Sequence, residues 1–232
     1  MTSVSFTVNK GDKIGVAGVN GAGKTSLFSI ICGTLTPTSG NVYISKDTTV
    51  GILRQQTEND FGEETIYEYA LSAFSDLIEA EKKLDHLSSQ LSGGEEHVIK
   101  EYTSLSDRFS AMGGYDYKQR ATAMLGRFGF AGEELSRPAR LLSGGQKTRL
   151  NLVNLLLREP DIILLDEPTN HLDIPAIEWL EGYVKQSKKT FLIVSHDRYF
   201  LDRVTNRTLE LENGDIIEVL EPQSVRNKIR IG

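Results

Sequence analysis

Short apolar segments alternate along this chain with longer stretches of helical character. Residues 14–17, 162–165 and 191–194 are apolar and carry β-branched side chains, as do strands buried on both faces of a sheet. The alternation predicts an α/β fold with a largely parallel sheet. Because ligands bind beyond the carboxyl ends of such strands, we expect the functional loops to follow these three segments directly.

The pattern changes between residues 58 and 120, where apolar residues become sparse and Glu and Lys frequent. Residues 71–87 keep apolar positions at helical spacing, which predicts an amphipathic helix. Two glycines interrupt this pattern in the segment Leu-Ser-Gly-Gly-Glu at 91–95 and predict a turn between two helices. The predicted single domain has a core at 1–57 and 141–232 and a helical subdomain at 58–140, with an arm-like hairpin at about 76–110.

Composition and charge exclude several classes of protein. No apolar run among the 232 residues approaches the roughly 20 residues of a membrane-spanning helix, so we expect no membrane insertion. The N-terminus lacks the basic start and apolar run of a secretory signal, which predicts a cytoplasmic protein. A formal charge of -6 argues against binding DNA through a broad basic face. A lone Cys32 excludes an intramolecular disulfide, and the spacing of the four histidines argues against a zinc site.

The segment after the first predicted strand has the pattern of a phosphate-binding loop, G-x-x-x-x-G-K-[ST], and leads into a helix-like segment. The motif and the residue after it are Gly18, Val19, Asn20, Gly21, Ala22, Gly23, Lys24, Thr25 and Ser26. Glycines let backbone N–H groups converge on phosphates, while Lys24 can reach the β and γ phosphates and the Thr25 hydroxyl can bind Mg²⁺. The strand-loop-helix setting favours this interpretation over an ordinary Gly-rich turn. By itself the loop predicts a bound nucleoside triphosphate.

Two carboxylates end the second predicted strand, Asp166 and Glu167. A carboxylate in this position can hold Mg²⁺, and its neighbour can orient or deprotonate an attacking water. We assign Asp166 to the metal and Glu167 to the water. The alternative is a strand that ends in a solvated acidic turn, which the phosphate-binding loop disfavours.

A third motif opens the helix-like segment that ends before Pro160. Its residues are Leu142, Ser143, Gly144, Gly145, Gln146 and Lys147. Amides at a helix N-terminus form a natural anion site. Together, the three motifs resemble the ATP-binding-cassette (ABC) ATPases, whose signature is LSGGQ. The glutamine loop of that family resembles residues 51–56, its D-loop the Leu-Asp at 172–173, and its switch histidine the Ser-His-Asp at 195–197.

The resemblance implies an Mg²⁺-dependent ATPase and assigns further roles. Gln55 would sense Mg²⁺ and the attacking water, with Gln56 as the second choice for this role. His196 would contact the γ-phosphate. In this family two cassettes sandwich two ATP molecules head to tail. The resemblance therefore implies a second cassette as partner, either in a homodimer or in a longer chain.

The signature residues would act on the nucleotide of the opposing cassette. Ser143 and Gly145 would contact its γ-phosphate. We include the neighbouring Gly144 and Gln146, and Asp173 of the D-loop, in the predicted nucleotide-binding set.

One branch of the family is especially similar. Asp-Glu-Pro-Thr-Asn-His-Leu-Asp at 166–173, followed by Ile-Glu-Trp-Leu-Glu at 177–181, resembles the ABC-F proteins. These carry two cassettes in one chain and no membrane domain, and many bind the ribosome near the exit tRNA. Their first cassette has a helical arm where residues 76–109 lie here. The resemblance implies a truncated first cassette of a ribosome-associated ATPase, with the ribosome or tRNA as partner.

Two other functions compete with this interpretation. The energising subunit of a membrane ABC transporter has about this chain length, but the ABC-F stretch and the charged insertion argue against it. A nucleotide-binding module without turnover is disfavoured by the intact Glu167 and His196. The segment 76–108 holds eight acidic and four basic residues. This balance favours an arm that recognises protein or the shape of a tRNA more than the charge of its phosphates.

Overall fold

The computed structural model describes residues 5–19, 21–54, 61–93, 95–212 and 215–219. Six strands in these ranges form one sheet. They are β1 (Lys13–Gly18), β2 (Val50–Leu53), β3 (Ile162–Asp166), β4 (Thr190–Val194), β5 (Arg207–Glu212) and β6 (Asp215–Val219). Their order across the sheet is β2-β3-β4-β1-β5-β6. The pair β5–β6 is antiparallel and all other neighbours are parallel, which confirms the predicted α/β class.

Eight α-helices accompany the sheet in the described ranges. They are α1 (Lys24–Ile31), α2 (Ile66–Leu71), α3 (Ser75–Gln90), α4 (Glu96–Ala111), α5 (Tyr117–Arg127), α6 (Gly144–Arg158), α7 (Ile174–Gln186) and α8 (Arg198–Val204). Short 3₁₀ turns occupy Ser72–Phe74, Leu91–Gly93, Gly132–Ser136 and Ala139–Leu141. In the part of the chain that the structure describes, no helix combines the length and apolar character needed to cross a membrane.

The chain divides into two compact units. The first draws its described residues from Met1–Asn59 and Ser143–Gly232, and the second from Asp60–Leu142. The sheet and helices α1, α6, α7 and α8 belong to the first unit, and helices α2 to α5 belong to the second.

The core of the first unit fixes α1 against the sheet. Leu27 and Phe28 of α1 are buried with residues of β1, β3, β4 and β5, namely Ile14, Val16, Leu164, Leu192, Val194, Leu209 and Leu211. Each fully buried side chain of this size contributes about 1.5–3 kcal/mol relative to an exposed one. This packing fixes the position at which α1 begins, and therefore the loop between β1 and α1.

The second unit is helical throughout its regular structure among the described residues. Its predicted helix at 71–87 is not continuous, because the 3₁₀ turn Ser72–Phe74 separates α2 from α3 and buries Phe74. The turn Leu91–Gly93 joins α3 to α4, as the two glycines at 93 and 94 predicted; Gly94 lies outside the described residues. An ion pair of 2.6 Å between Lys83 Nζ and Glu101 Oε1 links α3 to α4.

Candidate functional site

The loop between β1 and α1 depends on glycine at two positions. Gly18 has φ 151°, and a Cβ there would lie 2.7 Å from the Leu211 carbonyl oxygen of β5. Gly23 has φ 99° and precedes α1 without a side chain that could cap the helix. The first N–H groups of α1 therefore have no side-chain cap, which leaves the positive end of the helix suited to an anion.

Two side chains at the start of α1 connect this loop to its surroundings. The Lys24 ammonium donates hydrogen bonds to the carbonyl oxygens of Gly18 (2.8 Å) and Val19 (3.2 Å). The Thr25 hydroxyl donates to Asp166 Oδ2 at 3.0 Å. A cation and a hydroxyl–carboxylate pair thus lie at the same helix N-terminus, an arrangement suited to phosphate groups and to a hard cation such as Mg²⁺.

Asp166 and Glu167 are buried at the carboxyl end of β3, with 3% and 5% of their surfaces exposed. Asp166 is in register with Val194 of β4, and the Glu167 N–H donates to the Val194 carbonyl oxygen at 2.8 Å. Glu167 has φ 52°, in the left-handed region that non-glycine residues rarely adopt. The chain therefore turns sharply away from the sheet immediately after the second carboxylate.

His196 anchors the Glu167 carboxylate through its backbone. The His196 N–H donates to Glu167 Oε2 at 3.2 Å, and His196 Nε2 lies 3.4 Å from Glu167 Oε1. The second contact is an ion pair only when the imidazole is protonated. Among the described residues Glu167 Oε1 accepts no hydrogen bond although it is buried. One oxygen is therefore fixed by the protein, and the other can accept a hydrogen bond from a further group.

Burial raises the pKa of both carboxyl groups. Desolvation is the largest influence on Asp166 and outweighs the hydrogen bond from Thr25 and the positive charge of Lys24, which lower its pKa. Desolvation also dominates at Glu167 and outweighs the hydrogen bond from the His196 N–H. The nearby charge of Asp166 raises the pKa of Glu167 further. Both groups are therefore more basic than ordinary carboxylates.

These side chains face one cavity of about 440 Å³. Its lining residues are Gly21, Gly23, Lys24, Thr25, Ser26, Asp166, Glu167, Val194 and His196. The structure thus brings together eight residues of the predicted set. Val194 was not predicted as a site residue, although the end of the apolar segment 191–194 was the signal that could have identified it.

Two predicted loop residues do not line this cavity. Gly18 ends β1 and supplies the carbonyl oxygen that Lys24 contacts, while the Ala22 N–H donates to the Val19 carbonyl oxygen at 3.1 Å. Asn20, Gln55 and Gln56 lie outside the described residues. Their proposed roles stay predictions.

The signature residues lie elsewhere in the first unit, at the start of α6. Ser143 caps this helix: the Gln146 N–H donates to Ser143 Oγ at 3.4 Å, and the Ser143 N–H donates to Gln146 Oε1 at 3.0 Å. Ser143 and Gly144 are exposed, and neither Gly145 nor Gln146 lines the cavity. This reciprocal cap, in which the backbone N–H of each residue donates to the side chain of the other, was not predicted from the sequence.

Asp173 also has a structural partner in this chain. Its Oδ1 accepts a hydrogen bond from the Ala176 N–H at 3.0 Å and so caps α7. Like the signature residues, Asp173 does not line the cavity. The predicted site therefore divides into a central group around one cavity and a peripheral group at the starts of α6 and α7.

Comparisons with known proteins are consistent with this geometry. A family model described as ABC transporter matches residues 1–170. ABC transporter F family member 5 of Arabidopsis thaliana is 36% identical over 221 residues, which are 92% of this chain and 32% of that protein. The protein YdiF of Bacillus subtilis is 40% identical over 219 residues, 93% of this chain and 34% of that protein. The predicted resemblance to the ABC-F branch is confirmed, and the chain spans about one third of the length of these curated relatives.

Solved structures support the same fold. An ATP-binding subunit of an ABC transporter superposes with a TM-score of 0.67 at 21% identity, covering 97% of this chain and 85% of that one; this likeness concerns the fold alone. A chain from the complex of the archaeal ribosomal stalk protein aP1 with the archaeal ribosome recycling factor aABCE1 gives a TM-score of 0.63 at 27% identity. That match covers 95% of this chain and 37% of the other.

The burial of Glu167 leads to a prediction about stability. Because its pKa is raised by desolvation, the native state binds the proton more tightly than the unfolded chain does. At pH 7 the buried charge therefore lowers stability, and this penalty shrinks as the pH falls from the raised native pKa toward the ordinary carboxyl pKa of the unfolded chain. We expect Glu167→Gln to raise the free energy of unfolding at pH 7 by about 0.5–2 kcal/mol, typical of stabilising replacements at functional positions.

Urea unfolding of both proteins at pH 7 and near pH 4.5 measures this difference. It should shrink toward the lower pH. As a control, Glu178→Gln on the exposed side of α7 should change the free energy by less than about 0.5 kcal/mol at either pH. A Glu167→Gln protein that is less stable than the parent at pH 7 would contradict the electrostatic account.

Proposed function

Because the chain belongs to the ABC transporter family, we propose that it binds and hydrolyses MgATP as one cassette of an ABC-F protein that acts on the ribosome and not in membrane transport. The observation that carries the proposal is the convergence of Lys24, Thr25, Asp166, Glu167 and His196 on one cavity. A phosphate-binding loop, a metal-binding pair and a buried base are the parts that hydrolysis of a nucleoside triphosphate needs.

The residues around the cavity fit MgATP. Lys24 and the N-terminal amides of α1 would hold the phosphates, and the Thr25 hydroxyl and Asp166 carboxylate would hold Mg²⁺. When bound, MgATP supplies the phosphoryl group and the metal charge that offsets the buried carboxylates. This fit is supported by the cost of the two desolvated carboxylates, which a cation would compensate.

Glu167 is the proposed general base. Its Oε2 is held by the His196 N–H, while Oε1 is free of hydrogen bonds to the described residues and can accept one from water. A raised pKa makes it a better proton acceptor than an exposed glutamate. The His196 side chain is 66% exposed beside it and can donate to a phosphate oxygen.

A second cassette would complete the site. Ser143 and Gly144 are exposed and do not line the cavity of their own chain, so the Ser143 hydroxyl and the Gly144 N–H remain accessible to a nucleotide held by another cassette. Their place at the N-terminus of α6 favours an anionic ligand. We therefore propose a head-to-tail pair in which each nucleotide lies between the cavity of one cassette and the signature of the other.

The role on the ribosome is supported by the nature of the relatives. Both the ABC-F relative and the structure that contains a ribosome recycling factor are similar over more than nine tenths of this chain. The helical second unit carries the α3–α4 hairpin, which covers the residues that the resemblance assigns to an ABC-F arm. We propose that this hairpin contacts the ribosome or tRNA.

The catalytic assignment predicts different effects for two variants. Glu167→Gln should keep ATP affinity within about twofold but lower kcat by about 10²-fold or more, because Gln cannot accept the proton from water. Lys24→Ala should weaken ATP binding by about tenfold or more, since it removes the cation from the phosphate-binding loop. Isothermal titration with MgATP and steady-state phosphate release measure the two effects. Unchanged turnover by Glu167→Gln would remove Glu167 from its proposed role.

The ribosomal role predicts nucleotide-dependent co-sedimentation. We expect the Glu167→Gln protein to pellet with ribosomes in the presence of ATP, because slow hydrolysis prolongs the ATP-bound state. The Lys24→Ala protein should stay in the supernatant under the same conditions. If the Glu167→Gln protein does not pellet with ribosomes and instead co-purifies with a membrane component, the proposed role on the ribosome is wrong and a role in membrane transport is supported.

A further inference from the structure

His171 lies in the loop between β3 and α7 and contacts the start of α6, where the signature residues lie. A Cβ placed on Gly145 in the first turn of α6 would lie 3.0 Å from His171 Cγ, 3.1 Å from Nδ1 and 3.2 Å from Cβ. These separations are shorter than ordinary van der Waals contact, so the imidazole occupies the space that a side chain at 145 would need. Gly145 therefore allows the loop to approach the helix closely.

The loop that carries His171 is held in an unusual conformation. His171 has φ 67° and Glu167 has φ 52°, both in the left-handed region. The turn between them is closed by the Asn170 N–H, which donates to the Glu167 carbonyl oxygen at 3.2 Å. A left-handed φ is uncommon for residues other than glycine, so its occurrence at His171 points to a role for this residue.

We propose that His171 is a positioning residue that holds the first turn of α6 in a fixed relation to the loop that begins at Glu167. This inference rests on the proposed function. In a head-to-tail pair, Glu167 would act on the nucleotide in the cavity of its own chain, while the start of α6 would contact the nucleotide bound to the other cassette. The contact between His171 and Gly145 therefore joins the loop of one nucleotide site to the residues that would contact the other nucleotide.

The position of His171 separates this role from nucleotide binding. His171 is exposed and does not line the cavity, so its replacement leaves the phosphate-binding loop intact. The effect should therefore fall on turnover by the assembled pair and not on the affinity of one chain for ATP.

Thermal unfolding of four proteins tests the contact itself: the parent, Gly145→Ala, His171→Gly and the double variant. Alanine is favoured over glycine within a helix, but in the parent its Cβ meets the His171 ring. We expect Gly145→Ala to lower the midpoint by about 2–4 °C when His171 is present and to raise it by a similar amount in the His171→Gly background. An increase in both backgrounds would overturn the proposed contact.

Kinetics of ATP hydrolysis test the positioning role. His171→Gly should lower kcat by about tenfold while KM changes by less than about twofold, because a misplaced signature affects the reacting state more than the ground state. His171→Asn should restore part of kcat, since asparagine tolerates a left-handed φ and keeps a planar polar group. A purely structural role would change the midpoint without this split between kcat and KM.

Asp47→Gly is the matched control for the backbone. Asp47 has φ 68°, is exposed and lies away from the cavity lining, so this variant places glycine in the same backbone conformation without removing the ring. It should keep the kcat of the parent. Equal kcat values for His171→Gly and the parent, or an equal loss in Asp47→Gly, would overturn the positioning role. If the parent itself hydrolyses no ATP, the proposed function fails, while the four unfolding midpoints still decide the contact.

Discussion

The parallel alignment of β1, β3 and β4 is the constraint on which the site depends. Val16 of β1 and Asp166 of β3 both pair in register with Val194 of β4, so the three strands end at the same edge of the sheet. The segments that follow them lead to Lys24 at the start of α1, to Glu167 and to His196, respectively. Because the strands are buried on both faces, a slip in register would disrupt close side-chain packing on each face, and this packing keeps the loops aligned.

This alignment places charged groups where burial is costly. Asp166 and Glu167 are almost completely buried, their pKa values are raised by desolvation, and one Glu167 oxygen has no hydrogen-bond partner among the described residues. The core beneath α1 offsets that cost through apolar packing around Phe28. The same desolvation that lowers stability makes Glu167 basic, which links the energetics of the fold to the proposed chemistry.

The sequence predicted the central group of residues because each has a local signal. Glycines in a fixed pattern mark the phosphate-binding loop, and an apolar segment followed by Asp166 and Glu167 marks the end of a buried strand. Contacts between distant segments leave no such signal. The contact of His171 with Gly145 depends on two left-handed backbone conformations at non-glycine residues, and the break in the helix at Phe74 depends on tertiary packing that overrides helical periodicity.

The most direct test of the central claim is the thermal unfolding midpoint of this chain with and without MgATP. A ligand at about 100 times its dissociation constant stabilises the native state by about 2.7 kcal/mol, which corresponds to about 5–10 °C for a chain of this size. The account predicts such a rise with MgATP and none with adenosine, which lacks the phosphates that the loop would hold. An unchanged midpoint at millimolar MgATP would contradict the assignment of the cavity as a nucleotide site.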